Sequence, residues 1–416
     1  MSRVLYVRLV LSCAGLAVVV SGQTVRTWTS DSDQRWNRNQ NWSGNNQANT
    51  SNEIAQFGTG DQLNPELNTN SLTVRGIRFS AGAGGYQVAD DNGSRTLRIG
   101  NGSSGFIENL SATDQVISIA TLQFQSDATI RTTGAGELTL GSRLTGTNRD
   151  LTFDTAADIT VTGNITTGSG TLTKEGAGSL HLAGANTYTG TTIISAGTIV
   201  AEAAGVFADT SRIDIADGAG LDLNGFTETI GRLTGDGTVD LGAAGTGQLT
   251  LSAGNSNFDG LFAGSGEIII GAGATLTLGM DFNNASLNIR LDGGTLRLNG
   301  SDIAIGALSV TGNSVIDFSA SRDSTLQVAS LAFGSPSLEL AVQNWTDAVD
   351  FFFSETGYVQ GSAPVNQVGF QGWTPADTKW QAYDSQITPV PEPAAYGAGL
   401  VGGALVAGWW WRRRRA

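Results

Sequence analysis

The stretch that decides the fold is Gly170–Val200, GTLTKEGAGSLHLAGANTYTGTTIISAGTIV. Within it, Leu180 and Leu182 flank His181, and this alternation of apolar and polar residues predicts a β-strand with one buried face. The strand places His181, which is the single histidine of the chain, on its outer face. Glycines separate the short apolar runs and favour tight turns between strands.

The same alternation recurs through the middle of the chain. Leu287, Ile289 and Leu291 alternate with Asn288 and Arg290, and several runs of this kind are followed by Asp-Gly or Asn-Gly dipeptides. These dipeptides supply the positive φ angles of tight turns. No stretch of helical period and useful length appears between residues 23 and 390, so we predict an all-β protein.

The spacing of these strands favours a β-solenoid over a sandwich, barrel or propeller. Pairs of strands recur at roughly 20–25 residues, which is typical of stacked repeat units. No proline lies between Pro65 and Pro336, and no tryptophan lies between Trp42 and Trp345. A continuously hydrogen-bonded stack requires such a proline-free middle, because proline removes a donor from the ladder.

Gly170–Val200 closely resembles the autotransporter-associated β-strand repeat, which is also called the passenger-associated transport repeat. In that family the repeat forms a coil of a right-handed parallel β-helix in secreted surface proteins, so the resemblance implies this fold here. The residues that match the repeat are Leu172, Lys174, Gly176, Gly178, Leu180, Leu182, Gly184, Asn186, Thr187, Tyr188, Gly190, Thr191, Ile193, Gly197 and Ile199.

Composition narrows the class of protein further. The chain has 416 residues, of which 57 are glycine and only 14% are charged, and its formal net charge is −14. This acidic balance argues against a nucleic-acid partner, since phosphate binding needs clustered lysine and arginine. Regular alternation of Leu, Ile and Val also argues against a disordered chain.

The first residues, 1–22, read as a secretory signal peptide. Arg3 and Arg8 form its positive region, and Leu9–Val20 forms an apolar segment too short for a stable membrane span. Cys13 is the only cysteine and lies in this segment. We therefore expect a mature protein without disulfides or thiolate metal ligands.

Tryptophan divides the rest of the exported chain into zones. Residues 23–60 carry Trp28, Trp36 and Trp42 among many asparagines, and we predict an N-terminal cap that hides the open end of a solenoid. The alternative is that these rings form a platform for stacking on carbohydrate. Residues 61–335 are the predicted solenoid, and 336–389 a C-terminal cap and linker.

The last residues, 390–416, combine three features in a fixed order. Pro391, Glu392 and Pro393 come first, an uncharged run from Ala394 to Trp411 follows, and Arg412–Arg415 end the pattern. At about 1.5 Å per residue the run reaches about 27 Å, enough for a thin bilayer core. The stop-transfer residues Arg412, Arg413, Arg414 and Arg415 favour the cytoplasmic side.

This order resembles the PEP-CTERM sorting signal of Gram-negative bacteria. The resemblance implies insertion in the inner membrane through the C-terminal transmembrane helix, followed by processing by an exosortase-type membrane protease. Delivery to the cell surface or an extracellular matrix would then follow. A plain C-terminal membrane anchor is the alternative, although such an anchor needs neither Pro391–Pro393 nor the terminal arginines.

Residues that could support chemistry are few, and we assign no catalytic, cofactor-binding or metal-binding residue. His181 reads as a solvated strand residue, and no phosphate-binding loop accompanies the only two lysines, Lys174 and Lys379. Carboxylates remain as candidates: Asp214 with Asp222, or Asp236 with Asp240, are pairs that adjacent coils could bring together. Asp90-Asp91-Asn92-Gly93 reads as a turn first and a cation site second.

The sequence therefore predicts an exported, non-enzymatic β-solenoid with a structural or adhesive role. Its expected partners are the secretion machinery, an exosortase-type protease and extracellular polysaccharide, and no cofactor is expected. Two alternatives stay open. One is a surface β-helix enzyme, a lyase or hydrolase, that acts on polysaccharide. The other is a passenger-like protein whose repeat assists its own transport.

Overall fold

A computed structural model of the chain describes residues 23–389 except 30–32, 61–62, 71, 101, 103, 244, 320–322, 348, 360, 374 and 382–384. The predicted signal peptide with Cys13, and the predicted sorting signal with Pro391–Pro393 and Arg412–Arg415, lie outside the described residues. The chain divides into two compact units, Met1–Ile159 and Thr160–Ala416, with the strand Ile159–Val161 at the division.

In the first unit the chain visits three parallel sheets in a fixed order and returns to the first sheet with each turn. Two 3₁₀ turns, Asn39–Asn41 and Ser43–Asn45, lie between its first two strands. The first sheet contains Thr24–Thr27, Glu53–Phe57, Gly76–Phe79, Gly105–Asn109, Ala128–Thr132 and Leu151–Thr155. The second contains Glu66–Leu67, Gln87–Asp90, Gln115–Ile117 and Leu138–Leu140. The third contains Leu72–Val74, Thr96–Ile99, Thr121–Phe124 and Arg143–Thr145.

The second unit, from Thr160 onward, is also built on three parallel sheets, although not every turn contributes a strand to each of them. Its first sheet contains Leu172–Glu175, Thr192–Ile194, Arg212–Ile215, Arg232–Gly235, Gly254–Phe258, Ala274–Leu278, Thr295–Arg297, Ser314–Asp317, Leu340–Gln343 and Val368–Phe370. Its second contains Ser179–Leu182, Thr198–Ala201, Gly220–Asp222, Thr238–Asp240 and Leu261–Ala263. Its third contains Thr227–Ile230, Gly247–Leu251, Gly266–Gly271, Leu287–Asp292, Asp302–Gly312, Thr325–Phe333 and Phe351–Ser354.

A few short elements complete the second unit. Ile165–Thr166 precedes the repeat, and Phe282–Asn284 pairs with the start of Asp302–Gly312. Gln386–Pro389 pairs antiparallel with Phe351–Ser354 and with Thr378–Gln381. The 3₁₀ turns are Val365–Gln367 and Pro375–Asp377. Among the described residues, no helix has the length and apolar character needed to cross a membrane.

Stacked apolar side chains form the interior of each unit. In the first unit, Leu122 lies in register with Leu97 on one side and Leu144 on the other, and all three are fully buried. Ile268 lies between Leu249 and Ile289 in the same way in the second unit. Full burial of such a side chain contributes about 1.5–3 kcal/mol. The prediction of an all-β parallel solenoid is therefore confirmed for each unit.

An aromatic cluster fills the interior at the start of the first unit. Trp28, Trp36 and Trp42 are 2%, 0% and 1% exposed and pack around Phe57. The indole of Trp36 donates a 2.9 Å hydrogen bond to the carbonyl of Ala48, and that of Trp42 donates a 2.7 Å bond to the carbonyl of Trp36. Buried rings have no open face, so these three tryptophans do not form a platform for carbohydrate.

Candidate functional site

The repeat predicted at 170–200 folds into strands of two successive turns. Leu172–Glu175 pairs with Thr192–Ile194 in the first sheet of the second unit, and Ser179–Leu182 pairs with Thr198–Ala201 in the second sheet. Leu172, Leu180 and Leu182 point inward and are buried. Ile193, which also matches the repeat and which we predicted to belong to its core, instead lies half-exposed on the outer face, because Thr192 and Ile194 take the inward positions.

The glycines of the repeat allow successive turns to approach closely. A Cβ on Gly184 would lie 2.4 Å from the carbonyl oxygen of Gly163, and one on Gly190 would lie 2.1 Å from that of Gly170. Gly176 and Gly197 have positive φ angles of 75° and 65°. At Gly197 a side chain would also meet the carbonyl oxygen of Gly178 at 2.4 Å. The repeat therefore needs glycine for packing as well as for turning.

Lys174 is the most unusual side chain of the repeat, since it is a fully buried lysine. Its Nζ donates hydrogen bonds to the backbone carbonyls of Glu175 (2.9 Å), Gly176 (2.8 Å) and Ala196 (2.9 Å). An ammonium group has three donors, and these acceptors match them in number. A Cβ on Gly197 would lie 2.5 Å from Nζ, so only glycine leaves room for this contact. Lys174 thereby ties together the loops of two successive turns.

A second buried polar chain runs from Asn186 to Glu228. The Oδ1 atom of Asn186 accepts a hydrogen bond from the N–H of Ile165 (2.7 Å), and its Nδ2 donates to the carbonyl of Val206 (2.7 Å). The carboxylate of Glu228 accepts hydrogen bonds from the N–H groups of Val206 (3.0 Å) and Phe207 (3.2 Å). The side chains of Asn186 and Glu228 thus provide hydrogen-bond partners for buried backbone N–H and C=O groups of several turns.

Burial changes the acidity of groups near this chain. Burial raises the pKa of Glu228 from its ordinary 4.5 to about 7, although the N–H groups of the 205–207 loop oppose the shift; the Asp209 charge adds to it. Burial also raises the pKa of the Tyr188 phenol, whose Oη lies 2.7 Å from Oγ1 of Thr192. Thr187, between Asn186 and Tyr188, is exposed, and its N–H donates to the carbonyl of Ile165.

His181 lies on the outer face of its strand, as predicted. Its Nδ1 atom is 2.6 Å from Oε1 of Glu202, and both side chains are partly exposed. The contact links His181 to the residue that directly follows the neighbouring strand Thr198–Ala201, in which Val200 lies in register with His181. A partly exposed pair of this kind contributes little to stability.

The candidate carboxylates are arranged differently from the predicted pairs. Asp214 lies in the first sheet beside Arg212 (3.2 Å) and Asp222 lies in the second sheet, so that pairing was wrong. Asp222 is instead in register with Asp240. In each of these two residues Oδ1 accepts an N–H from two residues further on (2.7 and 2.8 Å), which stabilises the turn. Asp236 lies in the turn that precedes the strand of Asp240.

The segment with a possible cation site also forms a turn. Arg95 donates to both carboxylate oxygens of Asp91 (2.8 and 3.1 Å), and its N–H donates to Asp90 (2.7 Å). The Asn92 side chain accepts from the N–H of Ser94. In the part of the chain that the structure describes, no group of three or more His, Cys, Asp or Glu residues could hold a metal ion.

Comparisons with known proteins agree with the repeat. A family model of the passenger-associated transport repeat matches residues 172–201. The adhesin BmaC autotransporter of Brucella suis biovar 1 (strain 1330) is 31% identical over 211 residues, which cover 47% of this chain and 6% of that protein. The match therefore spans a small part of that relative. No solved structure gives a significant match. The repeat predicted from the sequence is confirmed.

Proposed function

We propose that this protein is an exported bacterial surface or extracellular-matrix β-solenoid with a structural or adhesive role. The observation that carries the proposal is the passenger-type repeat at 172–201, set in a parallel solenoid. Similarity to a protein described as an adhesin supports it. Three of the four carboxylates considered for catalysis, Asp214, Asp222 and Asp240, make hydrogen bonds or ion pairs within their own strands and turns, which favours a scaffold over an enzyme.

Within this proposal each segment has its own role. Residues 1–22 direct export through the secretion machinery and are removed. Residues 23–60 cap the solenoid, an assignment supported by the buried tryptophans, and 61–335 form a right-handed β-helix. Residues 336–389 form the C-terminal cap and linker, and 390–416 form the PEP-CTERM signal.

Sorting through this signal depends on an exosortase-type protease. The test replaces Pro391, Glu392 and Pro393 by alanine and follows the mature mass and the location of the protein in the native host. We expect loss of C-terminal processing and retention in the inner membrane. Unchanged processing and unchanged surface delivery would refute this route. A triple alanine substitution of the exposed residues Pro336, Ser337 and Glu339 serves as the control.

The enzyme alternative is tested separately. The full chain is incubated with neutral and acidic polysaccharides, and new reducing ends and unsaturated products are measured. We expect no turnover above that of a heat-denatured sample. Cleavage that disappears in Asp222→Asn or Asp240→Asn, with folding unchanged, would replace the scaffold proposal by a carbohydrate-active enzyme.

A further inference from the structure

A groove lies on the outer face of the second unit, at the end of its first sheet. Leu340–Gln343 and Val368–Phe370 are the last two strands of that sheet, and Ala341 and Gly369 form the floor between them. The groove has a volume of about 370 Å³. Ligand sites in proteins occupy about 300–1,000 Å³, so this groove suits a small ligand or a short segment of a polymer.

In one row across the last three strands of this sheet, the side chains become smaller toward the groove. Val315, Ala341 and Gly369 are neighbours in register on three successive strands. A Cβ on Gly369 would lie 3.3 Å from Cγ of Pro375, which closes that end. A larger side chain at Gly369 would therefore press against Pro375, which lines the groove.

Trp373 provides an aromatic surface in the groove. It is 37% exposed, and it is the one aromatic residue among the exposed large apolar side chains of the described part of the chain. By contrast, the three tryptophans at the start of the first unit are buried. An exposed indole in a concave site is suited to ligands with one apolar and one polar face.

Polar groups line the rest of the groove. Gln343 and Gln371 contribute amides, which both donate and accept hydrogen bonds, and Glu339 contributes the one ionisable group among the lining residues. Oε1 of Gln371 accepts a hydrogen bond from the N–H of Asn344 (3.1 Å), which holds that side chain in place. The rim is therefore rich in hydrogen-bonding groups and carries no positive charge.

We propose that this groove binds a segment of neutral polysaccharide. A sugar ring presents C–H groups on its face, which stack on the indole of Trp373, and hydroxyls at its edge, which pair with the amides. A single carboxylate in the groove and a net charge of −14 oppose anionic polymers. The inference rests on the proposed surface role, since it names the ligand that such a protein contacts outside the cell.

The experiment measures binding of the full chain to dextran, laminarin and galactomannan, with alginate as the anionic polymer, by affinity electrophoresis and calorimetry. We expect binding to at least one neutral polymer and none to alginate. Trp373→Ala should weaken binding about tenfold or more, and Trp373→Phe should retain part of it. Gly369→Val should also weaken binding, because its side chain would press against Pro375 and change the shape of the groove. Met280→Ala, an exposed apolar residue outside the groove, is the control.

Three results would overturn the inference. They are absence of binding to every neutral polymer, binding to alginate alone, and neutral binding that is unchanged in both Trp373→Ala and Gly369→Val. Circular dichroism confirms that each variant is folded, and having two variants preserves the test if one fails to fold. Loss of this inference leaves the proposed function intact if the protein still mediates attachment at the cell surface. Failure of surface delivery would remove the function without affecting the binding result.

Discussion

The aromatic cluster of the first unit and the repeat of the second unit are two ways of filling a solenoid interior. Trp28, Trp36 and Trp42 fill it with large buried rings, and the indole N–H groups of Trp36 and Trp42 donate to backbone carbonyls. The second unit instead buries the ionisable groups of Lys174, which lies in the repeat, and of Glu228, which follows the repeat, and surrounds them with backbone partners. The first region should therefore respond to changes of volume, and the second to changes of charge and pH.

The largest effect is expected in the aromatic cluster. Trp36→Ala removes a fully buried ring that contacts Trp42 and Phe57, and we expect a loss of about 3–5 kcal/mol in the free energy of unfolding. Urea denaturation followed by circular dichroism measures it. Trp373→Ala, at an exposed tryptophan, should change stability by less than about 1 kcal/mol. Equal effects of the two substitutions would contradict the cluster's structural role.

Removing the buried ammonium should have the next largest effect. Lys174→Met keeps the length of the side chain but leaves the carbonyls of Glu175, Gly176 and Ala196 without their Nζ donor, and we expect a loss of about 3 kcal/mol. Lys379→Met, at a half-buried lysine near the C-terminal end, should cost less than about 1 kcal/mol.

Amine labelling tests the same region without mutation. In the folded protein Lys379 should react with an acylating reagent much faster than Lys174, and mass spectrometry of peptides distinguishes them. Equal labelling of the two lysines in the folded protein would mean that Lys174 is accessible and would contradict its burial.

The pH dependence of stability should distinguish the two regions next. Because the pKa of Glu228 is raised from 4.5 to about 7, the folded state holds this proton more tightly than the unfolded state. Its contribution is therefore fully present below pH 4.5 and is lost as the pH rises toward 7, by up to about 3 kcal/mol.

The variant Glu228→Gln isolates this effect. Stability of the natural protein minus that of the variant should fall between pH 4.5 and 7 and stay constant above that range. Denaturation of both proteins at several pH values gives this difference. Contributions of other titrating groups cancel in it, including that of Asp350, for which burial also raises the pKa. A difference that does not vary with pH would contradict a buried, titrating Glu228.

The smallest effect is expected on the outer face of the repeat. His181→Ala removes a partly exposed contact with Glu202, and we expect a change of less than about 1 kcal/mol. A loss as large as that of Lys174→Met would mean that the inner and outer faces had been assigned the wrong way round.

The strands and the repeat could be predicted well from the sequence, because the alternation of apolar and polar residues indicates which side of a strand is buried. The burial of Lys174 was not predicted from the sequence. This residue lies two positions after the buried Leu172, so the alternation of the strand places its side chain on the inward face. A charged side chain is normally expected on the outer face. The three carbonyl groups that accept hydrogen bonds from Nζ come together only when the loops of two turns are folded.

Contacts between turns were harder to predict. In a solenoid, a strand residue lies next to the residue in register one turn later in the same sheet. Asp222 therefore lies beside Asp240 and not beside Asp214. That register depends on the length of each loop, which the repeat does not fix outside 172–201. The groove depends in the same way on the register of Val315, Ala341 and Gly369.

The central claim is that this solenoid works at the cell surface by contact and not by catalysis. The measurement that tests it most directly is attachment of native-host cells to an uncoated glass surface, with and without the gene, under flow. Cells without the gene should attach less, and the full chain supplied on a plasmid should restore attachment. If attachment is the same in all three strains, and surface proteolysis of intact cells releases no fragment of the protein, the account is contradicted.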